Sequence, residues 1–308
     1  MEAIESPTFT YQIEGALGAR GKHGGVMLSH NANGERVTIK CLTNFGPNQL
    51  DIINRLKQLH HPNATEVLES FVAADGCLYV VQRYVAGTDL KTIFANKELY
   101  RRVDEHKYLD AGRAVLKALS AVHALGIVHR DVKPSNIVVP HGQDEDPTTV
   151  DYSKAVLIDF EQCANYPGQR GVRSSFALVY SPPEMLLHYS HLVGPSSDLF
   201  ALSITLFQLI MGKAPYTDCN PEILINLMLT YPMKQPSRMT DELFAVLKRA
   251  ANKESFPLPP RRMKPEKIEE ILTKGIAERY ATAADMLADL EKVEHPLREV
   301  SWIRRLLE

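Results

Sequence analysis

The chain predicts an α+β fold, with a small antiparallel sheet and one helix first and a mainly helical region after it. Three observations lead there. Alternating strand-like runs occupy much of the first 84 residues, joined by Asn33-Gly34 and Asp75-Gly76, both hairpin signals. Beyond residue 85 the apolar spacing becomes helical, most plainly over 103–125, with apolar residues at 109, 115, 116, 119, 122 and 125. Between that helical run and a short apolar strand, Ile137-Val138-Val139, lies a dense polar loop, His129-Arg130-Asp131-Val132-Lys133-Pro134-Ser135-Asn136.

Size and composition agree with one large domain or two lobes. There are 308 residues, 44% apolar and 23% charged, ordinary for a globular protein with a real core. A net charge of −2 gives no general attraction to nucleic acid or to anionic membrane. Cys41, Cys77, Cys163 and Cys219 are too scattered for a zinc site or a disulfide framework, so reduced thiols and a cytoplasmic setting are expected. The acidic N-terminus lacks the basic-then-apolar pattern of a secretion signal. The most apolar stretch, 201–211, is too short to span a bilayer and reads as a buried helix.

In chain order, residues 8–42 read as three strands. The first leads into Gly18, Gly21, Gly24 and Gly25, where glycines between antiparallel strands let backbone N–H groups approach phosphate oxygens. A helix follows over 47–60, with Pro47 suited to its first turn. Strands at 66–72 and 77–83 form the second hairpin, and Thr88 or Asp89 caps the next helix. Gly126 stops the helix over 103–125. The acidic stretch 141–149 reads as a solvated loop. A strand over 155–158 ends at Asp159, and 162–184 is irregular. A helix opens at Asp198 and ends at Gly212. Further helices fit 221–229, 241–251, 266–274 and 282–293, with an amphipathic one over 297–307.

The polar loop carries the chemistry. Asp131 can accept a proton from a hydroxyl, Lys133 can neutralise a phosphate, and Asn136 can offer an amide oxygen to a hard cation such as Mg²⁺. Here the chain resembles the eukaryotic-type protein kinases, whose Ser/Thr branch carries H-R-D-x-K-x-x-N in the catalytic loop. Further stretches extend the likeness: Val37-Thr38-Ile39-Lys40 to V-A-I-K, Asp159-Phe160-Glu161 to D-F-G, Ser181-Pro182-Pro183-Glu184 to the end of the activation segment, and Asp198-Leu199-Phe200 to the start of the buried large-lobe helix.

The resemblance implies a bilobal domain over 8–292, with a small lobe at 8–84, a large lobe at 85–292 and a helical extension at 293–308. It implies catalytic roles for Asp131, Lys133, Asn136, Asp159 and Lys40, with Mg²⁺ on Asn136 and Asp159. ATP would lie against Leu17, Gly18, Gly21, Gly24, Val26, Thr38, Lys40, Gln82, Arg83, Val85, Val138 and Ile158. Asp198 would hold the catalytic loop, and Arg279 would pair with Glu184. Ser174 and Ser175 lie where an activating phosphate would sit, with Arg130 and Arg173 as its receivers.

The chain departs from the pattern in four places. Gly18 and Val26 stand one residue further apart than usual. Ile52 replaces the helix glutamate that pairs with the strand lysine, with Asp51 beside it as a possible substitute. Glu161 replaces the glycine of D-F-G, and Ala177 replaces a threonine that touches the catalytic aspartate. The expected activity is Mg²⁺-assisted transfer of phosphate from ATP to Ser/Thr hydroxyls of protein substrates. The alternative is a pseudokinase that binds nucleotide or serves as a scaffold. A small-molecule kinase would share H-x-D…D, but not the Lys-Pro-Ser-Asn continuation or the Pro-Pro-Glu segment. The expected partners are protein substrates and a possible regulator on the small lobe, without nucleic acid or a membrane span.

Overall fold

The alternating runs at the start of the chain form a six-stranded antiparallel sheet in the computed structural model, which describes residues 3–21, 24–43, 45–171 and 177–298, with the backbone alone for 18–21 and 24. Two units emerge, Met1–Ala86 and Gly87–Glu308. The first contains β1 (Ala3–Glu5), β2 (Thr10–Gly21), β3 (Gly24–His30), β4 (Arg36–Leu42), α1 (Pro47–Leu56), β5 (Val67–Val72) and β6 (Leu78–Arg83), in the sheet order β1-β2-β3-β4-β6-β5. Short turns make β3–β4 and β5–β6 antiparallel neighbours, and the non-consecutive pairing of β4 with β6 joins these hairpins into one sheet. Gly34 and Gly76 adopt φ of 78° and 76°, the left-handed backbone such turns require.

One face of the sheet carries a buried cluster of Tyr11, Val37, Ile39, Phe71 and Val81. Period-two alternation puts residues 38, 40 and 82 on the opposite face. Three details differ from expectation. β1 is an additional edge strand, paired with the start of β2. β2 continues to Gly21 and β3 begins at Gly24, so the glycines expected in a loop lie within strands. Helix α1 ends at Leu56 rather than His60, after burying Ile52, Ile53 and Leu56 on one side.

The second unit is mainly helical. In order it has β7 (Gly87–Asp89), α2 (Leu90–Ala95), α3 (Lys97–Arg102), α4 (Glu105–Ala124), β8 (Ile127–Val128), β9 (Ile137–Pro140), β10 (Val156–Leu157) and β11 (Ala164–Asn165). Then come α5 (Pro183–Leu186), α6 (Pro195–Met211), α7 (Pro221–Thr230), α8 (Asp241–Ala250), α9 (Pro265–Ala277) and α10 (Ala283–Leu290). β9 lies between β10 and β7, and β11 pairs with β8. Helix α6 is buried along nearly its whole length, as its apolar sequence demands. It packs closely on α4: a Cβ at Gly112 would stand 2.9 Å from Leu206 Cδ1. This packing brings Asp198, in the first turn of α6, to the chain that leaves α4.

The sheet unit with one described helix, followed by the mainly helical unit, is the two-lobed architecture expected of a protein kinase. The helix expected over 297–307 lies outside the described residues from 299 onward. Its first residue, Leu297, instead forms a bridge with Met239, and Arg298 N donates to the Arg238 carbonyl at 2.7 Å. Among the described residues no helix is long and apolar enough to cross a membrane.

Candidate active site

Helix α4 ends at Leu125-Gly126, where Gly126 takes φ of 71°, and the chain passes through β8 into the loop 129–136. Asp198 holds this loop. Fully buried, it accepts hydrogen bonds from His129 N at 2.8 Å, Arg130 N at 2.7 Å and His123 Nε2 at 2.8 Å. Burial, the largest single influence on its carboxyl, works to raise the pKa. The bond and charge of His123 and the charge and N–H of His129 outweigh it, so the group sits below its ordinary range. Arg130 has φ of 65°, a left-handed backbone costly for a residue with a Cβ, and its N–H is fixed by Asp198.

The loop side chains converge on Asp131. Its carboxylate is buried, with Lys133 Nζ at 2.7 Å and Asn136 Nδ2 at 2.9 Å from Oδ2. Asn136 Nδ2 also donates to the Asp131 carbonyl at 2.8 Å. Both amide protons of Asn136 are thereby engaged, and Oδ1 is the acceptor atom, 3.3 Å from Ser135 Oγ. His129 lies beneath the loop. Its Nε2–H donates to the Ile158 carbonyl at 3.1 Å, its Nδ1 accepts from Asp131 N at 3.3 Å, and its ring meets Phe160 with centroids 5.2 Å apart.

Strand pairing brings Asp159 to the same place. β9 and β10 run antiparallel with Ile137 opposite Leu157, and Ile158 N donates to the Asn136 carbonyl at 2.9 Å. Asp159 takes φ of 67° and accepts from Glu161 N at 3.4 Å. Glu161 lies in a single 3₁₀ turn, Phe160–Gln162, and is not among the residues of positive φ. The strained backbone falls on the aspartate, so this turn does not need the freedom a glycine would bring at 161.

Ala177 and Asp131 line one surface depression, together with Tyr180, Ser181, Pro182 and Met185. Where the family places a hydroxyl near the catalytic aspartate, this depression presents a methyl group. The segment is anchored by Glu184, which accepts from Arg279 Nη1 at 2.7 Å and Nη2 at 3.1 Å, and from Ser197 Oγ at 2.8 Å. The resemblance implied the Glu184–Arg279 pair, and both partners are buried. Arg130 gives its Nε to the Gln162 carbonyl at 2.8 Å, and burial lowers its pKa against the pull of Cys163, Asp198 and Asp131. Arg173, Ser174 and Ser175 lie outside the described residues. His123 and Ser197 were not anticipated, since one histidine in an apolar helix and one serine at a helix start carry no distinctive pattern.

In the first unit the register places Leu17 opposite Val26, Val26 opposite Lys40, and Lys40 opposite Val80. Thr38 is opposite Gln82, two positions along. Directly paired residues share a face, so Leu17, Val26, Thr38, Lys40 and Gln82 lie on one face. Gln82 is buried, while Arg83 and Val85 follow at the end of β6. Arg83 N donates to the Glu66 carbonyl at 2.9 Å, and the Arg83 carbonyl accepts from Thr65 Oγ1 at 3.0 Å. Ile52, in the place of the family's glutamate, is buried. Asp51 is largely exposed and pairs with Arg55 one turn along α1, Oδ2 to Nη2 at 2.8 Å. In the second unit Val138 is buried in β9 and Ile158 is half-buried.

The chain is similar to several known protein kinases. The chain is 28% identical to sperm motility kinase Z of Mus musculus over 228 residues, 70% of this chain and 41% of that protein. It is 29% identical to serine/threonine-protein kinase pkn3 of Myxococcus xanthus over 251 residues, 79% of this chain and 41% of that one. With the SNF-related serine/threonine-protein kinase of Homo sapiens the identity is 27% over 267 residues, 84% and 32% of the two chains. The match thus spans well under half the length of these relatives. The sequence profile of the protein kinase domain matches residues 11–283, from the first long strand to the start of α10 and through the whole catalytic loop, and the chain belongs to that family.

Proposed function

We propose that the chain transfers the γ-phosphoryl group of ATP to serine or threonine hydroxyls of protein substrates, with Mg²⁺ assisting. The observation that carries this reading is the convergence of Lys133 and Asn136 on the buried Asp131 carboxylate, on a loop held by Asp198. Phosphoryl transfer needs positioning and charge neutralisation more than covalent chemistry from the protein. Asp131 orients the acceptor hydroxyl and takes its proton as the oxygen attacks the γ-phosphorus. Lys133, 2.7 Å from that carboxylate, steadies the transferring group. Lys40 holds the α- and β-phosphates. Val26, Thr38, Gln82, Arg83 and Val85, with Leu17 and the backbone of Gly18, Gly21 and Gly24, are the nucleotide-contacting residues of the first unit.

Asn136 Oδ1 and the Asp159 carboxylate are hard oxygen donors joined through the Ile158 N–Asn136 O bond, a donor set that suits Mg²⁺. Bound there, the cation would neutralise charge developing between the phosphates. Lysine two places after the base aspartate favours Ser/Thr acceptors. The domain we assign is 8–292, divided into 8–84 and 85–292, with a tail from 293, working in a cytoplasmic setting.

The second reading, a pseudokinase, draws on one observation: α1 buries Ile52 where an acid is expected and commits Asp51 to Arg55. The deciding test is transfer of labelled γ-phosphate from Mg-ATP to the protein and to a basic protein acceptor, with Asp131→Asn alongside. Transfer that vanishes in Asp131→Asn is expected. A wild-type protein that transfers nothing while ATP still raises its melting temperature overturns the kinase reading in favour of the second.

A further inference from the structure

Beyond Asp159 the chain is tied down at four points before Gly171. β11 pairs with β8. Tyr166 donates its hydroxyl to the His123 carbonyl at 2.8 Å. Gly168 passes so close to Ser190 that a Cβ there would stand 2.3 Å from the Ser190 carbonyl oxygen. Arg170 reaches Glu269 on α9 with both terminal nitrogens, at 2.8 and 2.6 Å, and His191 Nε2 lies 3.0 Å from the same carboxylate. Hydrogen bonds from Arg170, and then from His191, pull the Glu269 pKa down to about 2. An exposed ion pair is ordinarily weak, but a forked guanidinium–carboxylate contact sharing a third partner has the geometry that makes one count.

We infer that the Arg170–Glu269–His191 cluster positions the activation segment for its protein acceptor, doing through a built-in ion pair what a phosphate does where Ser174 or Ser175 is modified. Arg130, the expected receiver of that phosphate, already gives its Nε to Gln162. Arg170 and Glu269 are thus positioning residues for the acceptor. This role rests on the kinase reading, whereas the tether itself does not.

The full chain serves for the test. Glu269→Gln keeps the size and removes the charge, and the reversed pair Arg170→Glu with Glu269→Arg restores it. Limited proteolysis between 168 and 177 reads the tether without reference to activity. Cleavage of Glu269→Gln should be about fivefold faster than wild type, with the reversed pair within about twofold of wild type. Raising salt from about 0.05 to about 0.5 M should speed cleavage of the wild type and leave Glu269→Gln unchanged. Equal cleavage of wild type and Glu269→Gln overturns the tether.

In kinetics, Glu269→Gln should raise KM for the protein acceptor about fivefold, with kcat and KM for ATP unchanged. A fall in kcat at constant acceptor KM overturns the positioning role. The double variant Ser174→Ala/Ser175→Ala should transfer phosphate within about twofold of wild type; loss of transfer shows that the phosphate, not the ion pair, does the work. Wild-type protein with no transfer at all would sink the kinase reading and the acceptor role together, leaving the tether to the proteolysis result.

Discussion

Asp198 and Asp51 are both aspartates on helices, and the structure uses them in opposite ways. Asp198 is fully buried in the first turn of α6 and fixes the backbone of the catalytic loop through three bonds. Asp51 faces outward on α1 and pairs with Arg55 on its own helix. The loop 129–136 is over-determined: its strained Arg130 backbone is fixed by Asp198, and the buried Asp131 is met by Lys133 and Asn136. Helix α1 is shaped by burial of Ile52, Ile53 and Leu56, and its charge is left to the surface.

The largest expected effect lies at the base. Asp131→Asn should lower phosphate transfer about 10³-fold while the ATP-induced rise in melting temperature persists. Comparable transfer by the variant would remove Asp131 from the base role.

Next comes the anchor. Asp198→Ala leaves the His129 and Arg130 N–H groups buried without their acceptor and should cost about 3–5 kcal/mol in urea unfolding. Because the folded pKa of Asp198 is depressed, its stabilisation is present above the ordinary carboxyl value of about 4 and is lost as pH falls through the folded value. The wild-type stability curve should drop more steeply below about pH 4 than that of Asp198→Ala, as equilibrium unfolding across pH would show. Parallel curves would mean that the buried charge is not what holds the loop.

A smaller effect is expected beside the base. Ala177→Thr returns a hydroxyl to the depression that Asp131 lines, and kcat should rise about two- to tenfold, the worth of one hydrogen bond. A kcat that stays the same would show that the segment does not bring position 177 to the base during turnover.

The smallest change should be Asp51→Ala, within about 0.5 kcal/mol in stability and without effect on transfer. Slowed transfer would break the contrast between the two aspartates and return Asp51 to the site.

Much of this was legible along the chain because several determinants are local. Asp131, Lys133 and Asn136 lie within six residues, so a single loop conformation brings them together. Hairpin turns at Gly34 and Gly76 need left-handed backbone, which made those strand pairings predictable. The Glu184–Arg279 pair spans 95 residues, yet the family likeness anticipated it. The edge strand β1 was missed because three residues are too few for alternation to register. The glycine stretch was expected as a loop because glycine disfavours strands, and pairing between β2 and β3 prevailed over that preference.

The amino-acid sequence by itself determined most element types, the polar loop 129–136 and the apolar α6, since periodicity and short-range spacing are properties of the chain alone. Only the tertiary structure decided that Ile52 turns into the core, that the left-handed backbone falls on Asp159 rather than Glu161, and that Arg170 meets Glu269 and His191. The direction in which a helix presents a charge, and the segment that a distant arginine reaches, depend on how elements pack. That is set by burial summed over many residues, and no local stretch of sequence carries it.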